Sequence, residues 1–167
     1  MLSQIDIKTM KRIVNPWTDV EGYGCFGCAP HNDKGLRMEF FEDGDDVVAV
    51  WKPRIEFQGW NNTLHGGIQA TLADEIASWV IFRKLQVGGV TSKMEVKYLR
   101  PVLISDGDIT LRARIAEKRR NLVRVVVEIT NSRGERTTEV ECLYFTFSEE
   151  RSKEEFYFRP FLTEDEL

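Results

Sequence analysis

The chain has little of what a disulfide scaffold, a membrane span or a nucleic-acid binder requires. It holds three cysteines in 167 residues, Cys25, Cys28 and Cys142. An odd count with no secretion signal argues against a disulfide framework. Histidines number two, His31 and His65. "CFGCAPH" offers Cys25, Cys28 and His31 to a metal, but structural zinc wants four ligands, usually two pairs, and no second pair exists. The expectation is therefore a tight glycine-rich loop with two small thiols and no metal. No run of eighteen apolar residues occurs, which argues against a membrane-spanning helix. "MLSQIDIKTMKRIVNPW" lacks the apolar core of a signal peptide, so the cytoplasm is the expected compartment. A formal net charge of -4 lacks the basic excess of a general nucleic-acid binder.

What is present suits one soluble domain with extensions. At this length folding buries roughly two-thirds of the unfolded chain's surface, and 42% hydrophobic with 30% charged residues is ordinary for a globular protein. Residues 1–33 read as a leader, with a short helix near "SQIDIKTMKRIV" and then a Gly- and Pro-punctuated loop. "GLRMEFFE" and "DDVVAVWKP" read as strands about a turn at Asp43-Gly44-Asp45. Residues 65 to about 85 read as a helix that "QVGGV" ends with glycines. Four strands follow, in "TSKMEVKYLRP", "DITLRARIAE", "NLVRVVVEIT" and "RTTEVECLYFTF", marked by apolar–polar alternation. Residues 34–149 thus form the main domain, and 150–167 a charged, then aromatic, tail. About six strands with short turns and one long helix give an α+β architecture: a curved antiparallel sheet wrapped around the helix.

The chemistry concentrates in "WNNTLHGGIQATLADEIASWV", Trp60 to Val80. The first turn of a helix leaves backbone N–H groups unpaired, and the dipole adds positive charge there. Gly66 and Gly67 let a ligand approach that backbone, where a developing oxyanion would be stabilised. The same glycines also suit tight helix–sheet packing. Asp74 lies among Leu72, Ile76, Ala77 and Val80, where an ionised acid is costly unless paired or used. Neighbouring Glu75 points about 100° away, so the two acids serve different places. Gly66 and Asp74 are about 12 Å apart along one helix at ~1.5 Å per residue. One reacting carbonyl cannot lie within about 3 Å of both. Two antiparallel helices from two copies could supply both ends.

"HGGIQATLADEIASW" after "QGWNNTL", followed by "TSKMEVKYLRPV", resembles the hot-dog acyl-CoA thioesterases of the phenylacetate-pathway type, within the 4-hydroxybenzoyl-CoA thioesterase superfamily. "CFGCAPHNDKGLRMEF" also resembles the leader of many relatives. The resemblance covers residues 25–148. It implies the hot-dog fold and hydrolysis of an acyl-CoA thioester with no cofactor, coenzyme A being part of the substrate. It implies Gly66 N–H, with Gly67 beside it, as the carbonyl's donor and Asp74 of the partner subunit as general base or nucleophile. It further implies Thr91 near the acid and an obligatory homodimer, with a tetramer of two dimers as a further state; His65, a lone histidine before the glycines, either orients the loop as a hydrogen-bonding residue or acts in catalysis. Trp60, Asn61, Asn62, Lys97 and Arg100 are candidates for substrate contact, with Arg119 and Arg120 as further cations for the phosphates. The aryl-CoA branch carries an amide about six residues before the histidine, where this chain has Gly59. Two other classes remain open: a hot-dog dehydratase acting on 3-hydroxyacyl thioesters, and a non-catalytic acyl-CoA-binding module.

Overall fold

A computed structural model describes residues 6–167. Seven antiparallel strands make one sheet: β1 (Lys11–Ile13), β2 (Phe40–Asp43), β3 (Asp46–Trp51), β4 (Gly89–Tyr98), β5 (Ile109–Arg119), β6 (Leu122–Thr130) and β7 (Arg136–Thr146). Their order across the sheet is β1-β2-β3-β5-β6-β7-β4. The long helix α1 (Gly66–Leu85) lies in the concave face and packs on β3 to β7. A short α2 (Glu149–Phe156) follows β7. No helix among the described residues is long and apolar enough to cross a membrane.

Alternation in the sequence becomes an inner and an outer sheet face. On β6, Val123, Val125, Val127 and Ile129 are buried against the helix while the residues between them face outward. The helix itself is buried over most of its circumference, through Leu72, Ala73, Ile76, Ala77, Trp79, Val80 and Ile81. A helix this apolar on so many sides needs a sheet wrapped around it. Trp79 stacks on Phe40 with ring centroids 4.1 Å apart.

Three segments depart from expectation. The leader contributes β1, not a helix: a 3-10 turn covers Ile7–Thr9, and Lys11–Ile13 then pairs with β2. Three residues are too few to show a period of two, and Arg12's pairing with Glu39 and Glu164 is not visible from the sequence. The part of the expected helix before Asp6 lies outside the described residues. "GLRMEFFE" alternates, burying Leu36, Met38 and Phe40, yet only Phe40 onward joins the sheet. Leu36 and Met38 instead donate their N–H groups to the carbonyls of Phe26 and Gly27. Finally, α1 ends on Gln86 in the left-handed conformation rather than on a glycine, with Gly89 starting β4.

The tail is folded into the body. Phe161 is fully buried among Trp17, Trp79, Phe82 and Phe158. Arg83 near the end of α1 donates to its carbonyl, and also holds Glu42 of β2 with two hydrogen bonds.

Candidate active site

His65 caps α1. Its Nδ1 accepts the Gly67 N–H at 2.9 Å, and its carbonyl accepts the N–H groups of Ile68 and Gln69. With Nδ1 accepting, Nε2 is the ring nitrogen left to donate. Of the four orphan donors of the first turn, only the Gly66 N–H has no acceptor among the described residues. It is the donor free for a ligand, whereas the Gly67 N–H is occupied.

Both glycines also suit the chain's own packing. Tyr98, near the end of β4, donates its hydroxyl to the Gly66 carbonyl at 2.7 Å, and a Cβ on Gly66 would sit 3.2 Å from that ring. A Cβ on Gly67 would approach His65 Nδ1 to 3.0 Å. A cleft of about 810 Å³ opens at this helix end, lined by Trp60, His65, Gly66, Gln69, Tyr98 and Arg100 among others. Trp60 is 86% exposed there.

Two turns further along, Asp74 meets the sheet. Its Oδ1 accepts from Thr91 Oγ1 at 2.5 Å and from Tyr144 Oη at 3.0 Å. Tyr144, on β7, also reaches the Asp74 carbonyl at 2.9 Å. Burial, and then the charge of Asp74, push the Tyr144 phenol well above its ordinary range, so it stays a proton donor. Asp74 Oδ2 has no partner among the described residues. One carboxylate oxygen is thus held and the other is free for water or substrate. Tyr144 is the residue that sequence reasoning misses. A signal for it exists: an inward-facing tyrosine in an alternating strand must place its hydroxyl somewhere.

Glu75 goes elsewhere. Its carboxylate lies at the leader loop, 3.6 and 3.7 Å from Cys25 Sγ and within reach of Trp79 Nε1 at 3.1 Å. Burial raises its pKa above the ordinary carboxylate value. Cys25, Cys28 and Glu75 offer ligand atoms that all lie within 4.8 Å of one another. His31, grouped with the two cysteines in the sequence, instead sets Nε2 2.6 Å from the Tyr23 carbonyl.

The remaining candidates separate. Lys97 is opposite Glu139 and lines a depression with Glu95, Glu128 and Glu141 on the outer sheet face. The alternation that turns Tyr98 toward Gly66 turns Lys97 away, so it is not brought to the cleft. Arg100 does line the cleft, 3.7 Å from Glu135. Asn62 is a turn residue at φ 58 whose amide bridges the hydroxyl and N–H of Ser105. Asn61 is exposed beside it. Arg119 pairs with Glu117, and Arg120 occupies the β5–β6 turn at φ 55.

The thioesterase superfamily family model matches residues 61–138, from the asparagines through β7's first residues. The acyl-coenzyme A thioesterase 13 of Mus musculus is 32% identical over 105 residues, 61% of this chain and 74% of that protein. The Homo sapiens protein of the same name is 29% identical over 86 residues, 51% of this chain. The chain spans 61% of that human relative's length, and the same share of the Pongo abelii one. A hypothetical thioesterase protein from Streptococcus pneumoniae, solved with coenzyme A, superposes with a TM-score of 0.62 over 66% of this chain and 89% of its own, at 24% identity.

Proposed function

Because this chain belongs to the thioesterase superfamily, we propose that it hydrolyses an acyl-CoA thioester to the free acid and the thiol. The observation that carries the reading is the pairing, on one helix, of a single unclaimed first-turn N–H at Gly66 with a carboxylate at Asp74 fixed through one oxygen and open at the other. The Gly66 N–H polarises the thioester carbonyl and stabilises the oxyanion that forms on it. The open Oδ2 of Asp74 takes a proton from water attacking that carbon, or attacks it directly. On the first route the carbon–sulfur bond breaks and the proton held by Asp74 passes to the leaving thiolate; on the second the bond breaks to leave an acyl–Asp74 anhydride, which water hydrolyses to the free acid while its proton goes to the thiolate. Coenzyme A enters as part of the substrate, and no other cofactor takes part. The relatives' names and the coenzyme A in the pneumococcal structure support the substrate class. The His-Gly-Gly motif favours the phenylacetate-pathway subtype, and the cytoplasm is the compartment we assign.

The two halves of the site belong to different copies. They are about 12 Å apart along α1 at ~1.5 Å per residue, too far for one carbonyl. β4 is an edge strand of ten residues with Val90 and Tyr98 exposed, and a long unpaired edge is a template for another chain. Thr91 and Tyr98 sit on that strand, beside the two ends of the site. Antiparallel pairing of β4 with its counterpart would bring one protomer's Gly66 to the partner's acid. Arg100 in the cleft is the cation best placed for a coenzyme A phosphate.

A dehydratase reading fits less well, since His65 Nδ1 is committed to the helix cap and His31 to a backbone carbonyl. Incubation with a panel of acyl-CoAs, reading free thiol, tests the proposal. Release should be seen with at least one acyl group, and D74N should lower it about 10²–10⁴-fold with an unchanged melting temperature. A D74N protein that keeps most of its turnover sinks the assignment of Asp74. Binding of every acyl-CoA with release from none makes the protein a binding module.

A further inference from the structure

We infer that Cys25, Cys28 and Glu75 form a binding site for a tetrahedral, thiolate-preferring divalent cation, with Zn²⁺ as the expected occupant. The site stands apart from the thioesterase reading and does not depend on it, and it replaces the expectation of a metal-free loop because a third ligand, Glu75, comes from α1 rather than from the leader. It clamps the leader loop to α1 one residue beyond Asp74.

Four observations carry the inference. The donor atoms are of the right kinds and close: two Sγ and a carboxylate oxygen, all within 4.8 Å of one another. The Cys25 Sγ to Glu75 distances are 3.6 and 3.7 Å, those of a thiol hydrogen bond when the proton is present. They match the ligand–ligand edge of a tetrahedron built from Zn–S of about 2.3 Å and Zn–O of about 2.0 Å, which is roughly 3.5 Å. Second, the two cysteines have the C-x₂-C spacing of a chelating turn. Third, Glu75 is already oriented, because the buried Trp79 donates its Nε1–H to Oε1 at 3.1 Å. A neighbour that fixes the ligating group is the usual support of a metal site. Fourth, the loop closes directly on the carboxylate. A Cβ on Gly27 would lie 2.4 Å from the Glu75 carboxyl carbon, so only glycine permits this approach.

Charge completes the argument. Two thiols and a carboxyl converge with no lysine or arginine bonded to any of them among the described residues. Protons can neutralise such a group, or a dication can. Binding the cation releases the protons of both thiols, and that of Glu75 where it carries one, with no change of oxidation state. Tyr23 Oη, 2.9 Å from Cys28 Sγ, closes one side, and half-buried Cys25 leaves the fourth position to water.

The test uses the full chain, stripped with chelator under reducing conditions, its thiols counted, and titrated with Co²⁺. One equivalent per chain should bind, with thiolate-to-cobalt charge-transfer bands and the intense visible bands of a tetrahedral ion. Zn²⁺ should displace it and raise the melting temperature. C25S and C28S should lose the charge-transfer bands, and E75Q should bind at least tenfold more weakly. W79F should weaken binding about 10–100-fold, the cost of losing a supporting hydrogen bond. E75Q and W79F carry the test if a serine variant fails to fold. Reduced protein that takes up no Co²⁺ overturns the inference. So does Co²⁺ binding that is indifferent to both C28S and E75Q. D74N should leave the metal spectrum unchanged while abolishing turnover, so a failure here and a failure of the thioesterase reading are read separately.

Discussion

Asp74 Oδ1 receives both of the donors directed at the carboxylate side chain, and their loss should be felt in turnover rather than in substrate affinity. Thr91→Val removes the 2.5 Å donor while keeping a β-branched shape on the strand. Hydrogen bonds to charged groups contribute about 1.5–3 kcal/mol, so kcat should fall roughly 10- to 100-fold with KM little changed, and Thr91→Ser should restore most of it. An equal effect of Val and Ser would mean that packing, not the hydroxyl, matters. His65 calls for a different experiment. Its nitrogen caps Gly67, and a lost cap costs about 1 kcal/mol. His65→Ala should lower the melting temperature, whereas His65→Asn, a good N-cap, should keep both stability and most activity. An Asn variant that is stable but inactive would show that the imidazole itself is needed. Of these residues, His65, Gly66 and Asp74 are legible in the sequence, because helix ends and an acid in an apolar run are one-dimensional signals, whereas Thr91 is reached only through the family resemblance. Tyr144 lies 70 residues from Asp74, and only the sheet's order brings it there. Lys97 misleads for the opposite reason. Its charge suggests a phosphate contact, yet the alternation that sets it against Met94, Val96 and Tyr98 already turns it to the outer face.

Among the elements, the long ones are legible and the short ones are not. β5, β6 and β7 run for nine residues or more, enough repeats of alternation to fix which face is buried. β1 has three residues, and its place depends on pairing with β2 and on the tail, where Ile13 bridges Thr163. That corner is held electrostatically by Arg83. Its guanidinium spans Glu42 of β2 and Glu166 of the tail, and Lys84 adds a second cation on Glu42. The Arg83 side chain is 13% exposed and that of Glu42 16%, so this pair is shielded. Removing one partner of a buried pair costs about 3–5 kcal/mol; some water access here places Glu42→Gln and Arg83→Met toward the lower figure. The pH dependence has a definite sign. Arg83 chiefly, with Lys84, holds the Glu42 carboxyl below its ordinary 4.5 against the effect of burial. A depressed acid stabilises the fold above the unfolded-state pKa, and that contribution is lost as pH falls through the folded value. Melting temperature should therefore drop as pH is lowered below about 4.5, and Glu42→Gln should flatten that part of the curve. A wild-type and a variant curve that run parallel through this range would remove the corner from the account of acid stability.

At the scale of the whole molecule, the proposed mechanism puts two half-sites on one helix, and under it a dimer would make either of them complete. Separation along α1 makes this testable without knowing the natural acyl group. Asp74→Asn disables one half and leaves the Gly66 end of the same helix intact. Gly66→Val disables the other, because its side chain must displace Tyr98. That ring lies only 3.2 Å from where the new Cβ would stand, but it is half-exposed and free to shift. Each variant alone gives dimers in which both sites are defective. Unfolded and refolded together in equal amounts, random pairing makes about half of the dimers mixed. In a mixed dimer one site combines both defects, and the other combines the intact glycine end of one protomer with the intact aspartate of its partner. Turnover should then recover to roughly a quarter of wild type per site by symmetric-dimer counting, using whichever acyl-CoA the wild-type protein cleaves. If each chain built a complete site from its own helix, no mixture would exceed its parents. Mixed dimers verified by mass spectrometry with activity still at the parental background would therefore rule out the shared site, while recovery would place Gly66 and Asp74 in one centre drawn from two chains.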